Sequence, residues 1–143
     1  MDLSQPATDL LEIVSLVVRG LSENRDLSLT AAAVLASLDR CGPQRITTMA
    51  TAHGVSQPSM TQLVQRLEQR GLVTRTSDLS DARVALVGLT GKGRGALADR
   101  RAHNTRRIAE LLADLPEDDV RALASALAAI LPAVRQRANH GPL

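Results

Sequence analysis

The stretch that decides the fold is residues 46–93, ITTMATAHGVSQPSMTQLVQRLEQRGLVTRTSDLSDARVALVGLTGKG. Two helical segments flank Gly54, and glycine tolerates the positive φ that a tight turn between helices requires. Ala50 supplies the small side chain that is needed where the two helices cross. Two β-branched runs, residues 72–76 and 84–90, then enclose a polar loop and predict a β-hairpin. This order of elements predicts a helix-turn-helix followed by a wing.

The second of these helices, which begins after Ser56, has one apolar side and one polar side. Apolar anchors for the two helices fall at Met49, Val55, Met60, Leu63, Val64 and Leu67. The opposite face of the second helix carries Gln57, Thr61, Gln62, Gln65, Arg66 and Gln69, and no acid. An ordinary solvated face mixes Glu with Lys or Arg, whereas Gln, Arg and Thr suit adenine, guanine and the thymine methyl in the major groove. The alternative is an ordinary helical hairpin with a polar face, and the β-hairpin that follows argues against it.

The first turns of this helix are the part that would point at base edges, as in helix-turn-helix docking generally. They carry Gln57, Ser59, Thr61 and Gln62. The loop of the hairpin holds Asp78, Asp81 and Arg83. Two carboxylates close to phosphates make sense if Asp81 orients Arg83 toward a narrow minor groove, which attracts arginine electrostatically. The alternative is a surface turn with a local ion pair of little energetic consequence.

Residues 56–93 resemble the signature of the MarR (multiple-antibiotic-resistance regulator) family. The run Arg70-Gly71-Leu72-Val73-Thr74-Arg75 leads into Asp81-Ala82-Arg83, which is similar to the wing motif of the family. The run Leu89-Thr90-Gly91-Lys92-Gly93 is similar to the Leu-Thr-x-x-Gly run that follows that wing. The match is strong across 46–93 and topological outside it. Many members carry a second basic or a small residue at the position of Ala82, so Arg83 is the only basic residue at this wing tip.

The resemblance implies a mainly helical fold with a small β-hairpin wing, in which the first, fifth and sixth helices form a homodimer interface. It assigns 29–91 to a winged helix-turn-helix lobe (helix-turn-helix 47–70, wing 72–90) and 1–28 with 92–143 to the dimerisation region. It implies that the fourth helix reads the major groove and that Arg83 reads the minor groove. It further implies that Arg75, Thr47 and Thr48 contact phosphates. Many members also bind small aromatic ligands, so a small-molecule effector is a further expected partner.

The segments outside the motif are also helical in pattern. The first helix is apolar around most of its circumference, which suggests contact with a second subunit. The absence of Phe, Tyr and Trp mildly favours a dimer as well, because a core of small aliphatic residues gains from further burial. A polar linker is expected at 22–28, a brief strand at 45–47, a last helix after Pro116, and a frayed tail at 139–143. We expect helix caps at Thr8 or Asp9, Thr30, Thr47 or Thr48, and Ser56.

Charge is distributed unevenly along the 143 residues. The net charge is +2, yet residues 44–94 hold seven basic and three acidic side chains, and the remainder holds ten basic and twelve acidic ones. A basic middle between slightly acidic ends is expected of a DNA-binding module with non-binding flanks, although random surface charge gives the same picture. The 44% hydrophobic and 22% charged residues are typical of a globular chain.

Several other classes of protein are disfavoured. No apolar run approaches the roughly 20 residues of a membrane span, and the first residues lack the pattern of a signal peptide. The single Cys41 excludes an intramolecular disulfide, is expected to be structural or incidental, and fits a cytoplasmic location. His53, His103 and His140 are far apart, so we expect no metal site and no cofactor. His53 takes a helix position that is usually apolar and is expected to pack. Neither a phosphate loop nor a nucleophile elbow is present, and we expect no enzyme.

The sequence therefore predicts a homodimeric, sequence-specific regulator that binds a palindromic operator in double-stranded DNA. The expected mode is repression that a small molecule or another signal relieves. The alternative is a protein-interaction module that has kept the fold and lost DNA binding, and the modest net charge and the single basic wing-tip residue keep that alternative open.

Overall fold

The computed structural model describes residues 1–21 and 27–139, and within them the fold is mainly helical with one small antiparallel sheet. This confirms the predicted fold class. The elements are α1 (Ser4–Leu21), α2 (Leu29–Cys41), β1 (Gln44–Arg45), α3 (Ile46–Ala52), α4 (Gln57–Gln69), β2 (Val73–Ser77), β3 (Ala85–Leu89), α5 (Gly91–Ala113) and α6 (Glu117–Ala138). Most of the predicted linker, residues 22–26, and the end of the predicted tail, residues 140–143, lie outside the described residues.

The sheet has the strand order β1-β3-β2, with β3 in the middle. Strands β2 and β3 form the predicted hairpin, in which Val73 pairs with Leu89 and Ser77 with Ala85. Strand β1 adds a short third strand that pairs Arg45 with Leu86. The expected brief strand near 45–47 is thus present, but it starts one residue earlier and ends where α3 begins.

Among the described residues, the core lies mostly within 29–91, with Leu27 and Leu97 added from outside that range, and it consists of aliphatic side chains and Met. Its most buried members are Val34, Leu35, Leu38, Met49, Met60, Val64, Leu67, Leu72, Val73 and Val87. The predicted anchors are all in this cluster or packed against it, with Val55 and Leu63 only partly buried. Ala50 is buried, and Gly54 has φ +64 in the turn between α3 and α4. The predicted helix-turn-helix geometry is therefore confirmed.

Three of the expected helix caps are wrong. Helix α2 is capped by Ser28, whose Oγ accepts from the backbone N–H of Ala31, and not by Thr30. Helix α3 starts directly after β1 with Arg45 as its N-cap and no side-chain cap, so Thr47 and Thr48 lie inside its first turn. Helix α1 begins at Ser4, ahead of both candidate caps. Several Ser and Thr residues compete at each start, and tertiary packing selects among them.

The expected cap at Ser56 is confirmed, and Thr90 provides a second cap where the wing meets α5. The Oγ of Ser56 accepts from the backbone N–H of Ser59. The Oγ1 of Thr90 accepts from the N–H of Gly93 at 3.0 Å and donates to the carbonyl of Gly71 at 2.6 Å. A Cβ on Gly93 would collide with the carbonyl of Leu72, so the chain needs glycine at that position.

By internal contacts the chain divides into two compact units, Met1–Asn104 and Thr105–Leu143. The first unit contains α1, which buries no residue and exposes most of its apolar side chains. The second unit contains α6, which also buries none. Within the described ranges, no helix is long and apolar enough to cross a membrane.

Candidate nucleic-acid interface

Helix α4 presents the predicted polar face to solvent. Its apolar side is fixed because Met60, Val64 and Leu67 are buried. Since a helix turns 100° per residue, the outward side chains are determined by that burial. Gln57, Ser59, Gln62, Gln65, Arg66 and Gln69 are exposed, and Thr61 is half-buried. The candidate base-reading residues therefore lie on one accessible surface that carries Arg66 and no acid, apart from Glu68 at its edge.

Two hydroxyl groups on this face are held by the helix itself. Thr61 donates from Oγ1 to the carbonyl of Gln57 at 2.9 Å. Ser59 accepts at Oγ from the hydroxyl of Ser56 at 2.8 Å. Because the Thr61 hydroxyl donates its proton to the helix backbone, Thr61 can offer a partner only its methyl group and the lone pairs of Oγ1.

The wing carries the predicted Asp81–Arg83 pair. The Nε of Arg83 donates to Oδ1 of Asp81 at 3.2 Å, and the backbone N–H of Arg83 donates to the same atom at 3.0 Å. These hydrogen bonds, the one from the side chain first, hold the pKa of Asp81 below its usual value. The Arg83 side chain is nonetheless 91% exposed. The wing thus presents an accessible guanidinium, and the Asp81 carboxylate orients the Arg83 side chain that carries it.

The predicted phosphate-contact residues fall into two groups. Thr47 and Thr48 are exposed in the first turn of α3. Arg75 on β2 is less accessible, with a side chain that is 29% exposed and an Nε that lies 3.5 Å from Oε1 of Glu68. A phosphate at Arg75 would therefore compete with Glu68.

Arg45 and Asp78 form a contact that the sequence did not reveal. The Oδ2 of Asp78 accepts from Arg45 twice, from Nη2 at 2.7 Å and from Nε at 3.1 Å. The Oδ1 of Asp78 accepts from the backbone N–H and the hydroxyl of Ser80. These hydrogen bonds, those from Ser80 first, lower the pKa of Asp78 to about 2. No local pattern signals this pair, because the two residues are 33 positions apart.

The remaining candidates identified in the sequence lie away from α4 and the wing loop. His53 caps the end of α3 and is half-buried, as the packing interpretation expected. Its Nε2 is buried without a hydrogen-bond partner, and burial, with a smaller contribution from the charge of Arg40, lowers its pKa. Cys41 is exposed at the end of α2 as a free thiol.

Comparison with known proteins identifies the fold. A model of the MarR family matches residues 27–85. The transcriptional regulator Tm0710 from Thermotoga maritima is 27% identical, with a TM-score of 0.77 over 97% of this chain and 100% of that one. RV1404 from Mycobacterium tuberculosis is 23% identical, with a TM-score of 0.75 over 100% and 98%. A mutant of MepR from Staphylococcus aureus, solved bound to an oligodeoxyribonucleotide, is 19% identical, with a TM-score of 0.67 over 90% and 97%.

Proposed function

We propose that this chain is a winged helix-turn-helix transcriptional regulator of the MarR type, and that it binds a palindromic operator in double-stranded DNA as a homodimer. The proposed role is that of a regulator and not of an enzyme. The single observation that carries the proposal is the exposed face of α4, where Gln62, Gln65 and Arg66 stand without an acid among them. The oligonucleotide bound to the MepR relative supports the same activity.

The proposed docking places α4 in the major groove. Its N-terminal residues, Gln57, Ser59, Thr61 and Gln62, face base edges, and Gln65 and Arg66 extend the same surface. Glutamine forms bidentate pairs with adenine, and arginine forms them with guanine. Arg83, which Asp81 holds by an ion pair, enters the adjacent minor groove.

Three further residues are proposed to contact phosphates. Thr47 and Thr48 offer hydroxyl groups beside the start of α3. Arg75 exchanges its contact with Glu68 for a phosphate. Such contacts set the register of the protein on the duplex and make affinity depend on salt.

The proposed dimer covers apolar faces that are otherwise open to solvent. On α1 these side chains are Leu10, Leu11, Ile13, Val14, Leu16 and Val18, and on α6 they are Leu123, Leu127, Ile130, Leu131 and Val134. An exposed apolar face of this size on a helix marks a protein interface. Regions 1–28 and 92–143 would therefore dimerise, while 29–91 binds DNA. A two-fold dimer presents two identical reading helices, so its operator is palindromic.

The proposed regulation is repression in the cytoplasm, relieved by a small molecule or another signal. A dimer that covers a promoter blocks transcription, and a ligand that favours a different spacing of the two reading helices weakens binding. The mechanism needs no cofactor.

The proposal is tested by selecting duplexes from a random pool with the purified protein and sequencing those retained. We expect a two-fold symmetric consensus whose half-sites are one helical turn apart. Retention of no sequence above the starting pool, together with no binding to any duplex at low salt, would contradict it. That outcome would favour the protein-interaction module, which the presence of Ala82 rather than a second basic wing residue also suggests.

A further inference from the structure

Beyond the sheet, an ion pair between Arg45 and Asp78 ties the wing loop to the start of the helix-turn-helix. The last rung between β1 and β3 pairs Arg45 with Leu86. Past that rung, the wing loop of residues 78–84 receives no strand pairing from β1. The guanidinium of Arg45 continues the connection, because it donates two hydrogen bonds to Asp78 in the loop.

Arg45 also lies at the start of the helix-turn-helix. It is the N-cap residue of α3, the first helix of the helix-turn-helix. Asp78 is the first residue after β2. The pair therefore connects the two parts that the proposed function assigns to different grooves, namely the helix-turn-helix and the wing.

Asp78 is fixed far more firmly than an ordinary surface acid. Its side chain is only 14% exposed, and its two oxygens accept four hydrogen bonds. The loop is closed at the same residue, since the N–H of Asp78 donates to the carbonyl of Val84 at 2.8 Å. An ion pair between two mobile side chains on the surface is weak. A carboxylate that accepts four hydrogen bonds where a loop closes is held in one geometry.

The loop so held is the one that carries Arg83. The N–H of Val84 donates to the carbonyl of Asp81, so the tip turns tightly between those residues. Arg45 also contributes a smaller coulombic lowering of the pKa of Asp81, after the hydrogen bonds from Arg83. The Arg45 charge therefore acts on both wing carboxylates.

We propose that the Arg45–Asp78 pair is a positioning device that sets the wing on the helix-turn-helix so that Arg83 meets the minor groove while α4 occupies the major groove. This inference rests on the proposed DNA-binding function. Neither residue needs to touch a base. Fixing the loop before binding avoids the entropic cost of ordering it in the complex.

If Asp78 had only an electrostatic role, its replacement would change DNA affinity in the opposite direction. If Asp78 only repelled phosphates, its removal would strengthen binding. If it positions Arg83, its removal weakens binding although a negative charge has been lost. Asp78→Asn separates the two accounts, because Asn keeps an acceptor oxygen for Ser80 and places an NH₂ donor against the Arg45 guanidinium.

The experiment measures dissociation constants for the selected operator with the wild type, Asp78→Asn, Arg83→Ala and the double variant. We expect Asp78→Asn to bind on the order of tenfold more weakly, within the coupling range of residues in one ion-pair network. In the Arg83→Ala background, Asp78→Asn is expected to cause no further loss. Additive losses, unchanged binding or tighter binding of the single variant would each overturn the proposal.

The control removes a paired carboxylate elsewhere in the lobe. Asp39 on α2 lies 3.5 Å from Nε of Arg94 and 3.8 Å from Nη1 of Arg101, and Asp39→Asn is expected to leave operator affinity within about twofold. Thermal unfolding checks that each variant is folded. If Asp78→Asn does not fold, Arg45→Lys takes its place in the same cycle, with a smaller loss that again depends on Arg83.

The outcomes also separate this inference from the proposed function. A wild type that binds no duplex contradicts the proposed function itself. The positioning role alone is contradicted if the wild type binds the operator and Arg83→Ala weakens that binding, but Asp78→Asn leaves it unchanged.

Discussion

Arg100 donates a hydrogen bond from Nη1 to the carbonyl oxygen of Leu27 at 2.8 Å, across 73 positions of sequence. Both residues are buried, with Arg100 only 9% exposed on α5 and Leu27 6% exposed just before α2. A buried carbonyl without a partner is costly, and a charged donor satisfies it more strongly than a neutral one. The bond therefore links α5 to the entry of the lobe.

Replacing Arg100 by Met is expected to lower the free energy of unfolding by about 1–3 kcal/mol, because the carbonyl of Leu27 loses its donor while most of the aliphatic packing remains. The neighbouring Arg101→Met is the matched control. Arg101 is 61% exposed and lies 3.8 Å from Asp39, so its loss is expected to be below about 1 kcal/mol. Urea denaturation at equal protein concentration compares them, and equal effects would refute the role of Arg100.

Gly93→Ala is expected to destabilise the protein by about 1–3 kcal/mol, because the added Cβ would collide with the carbonyl of Leu72. Two residues later in the same helix, a Cβ on Gly95 meets nothing within 4 Å. Gly95→Ala is therefore expected to stabilise by about 0.5–1 kcal/mol. Thermal unfolding measures both, and the same sign for the two variants would be inconsistent with the packing described.

How much of this the sequence predicted depends on how local the signal is. The α4 face, Gly54 and the hairpin follow from spacing within a few residues, and the structure has them as expected. The bonds from Arg45 to Asp78 and from Arg100 to Leu27 join residues 33 and 73 positions apart. No periodicity connects such partners, so only the folded chain reveals them.

The helix starts show a second limit. Ser28 and Thr30 are both good N-cap residues and stand two positions apart, so propensity alone does not separate them. Helix α3 uses Arg45, which is a poor cap, because strand β1 ends there and the chain continues directly into the helix. Pairing with β3 sets that boundary, and the local sequence does not encode it.

Acid is expected to destabilise the protein partly through His53. Burial lowers the pKa of His53 below its usual 6.5, so the native state binds its proton less readily than the unfolded state does. The contribution is fully present above about pH 6.5 and is lost as the pH falls through the lowered pKa. Unfolding free energy between pH 8 and 5 is expected to fall less steeply in His53→Leu than in the wild type. Parallel pH profiles would contradict this.

Leu127→Glu is expected to convert the proposed dimer to monomer, because a carboxylate would be buried in the proposed apolar interface. Leu127 is 47% exposed in the single chain, amid the apolar face of α6. Ser125→Glu, on the opposite side of that helix, is the control and should remain dimeric. Sedimentation equilibrium distinguishes the two, and a dimeric Leu127→Glu would place the interface elsewhere.

Arg83→Ala and Gln62→Ala are expected to affect DNA binding in different ways, the first through overall affinity and the second through base preference. Arg83→Ala removes the cation that the proposed docking places in the minor groove, so it should weaken binding broadly and reduce the salt dependence. Gln62→Ala removes an amide that is proposed to read a base, and it should change base preference at one position of each half-site, by about 1–3 kcal/mol of discrimination. Titrations of operator variants at two salt concentrations measure both. If neither variant alters binding to a duplex that the wild type binds, the assigned roles are wrong.

The most direct test of the central claim is a fluorescence-anisotropy titration of the wild-type protein with the DNA immediately upstream of its own gene. Mass spectrometry first verifies that no small molecule has been purified with the protein. We predict a saturable complex that survives excess random competitor DNA and loses at least about tenfold in affinity between about 50 and 200 mM salt. No complex with this or with random duplex DNA, even at the lower salt concentration, would contradict the assignment of DNA binding to this chain.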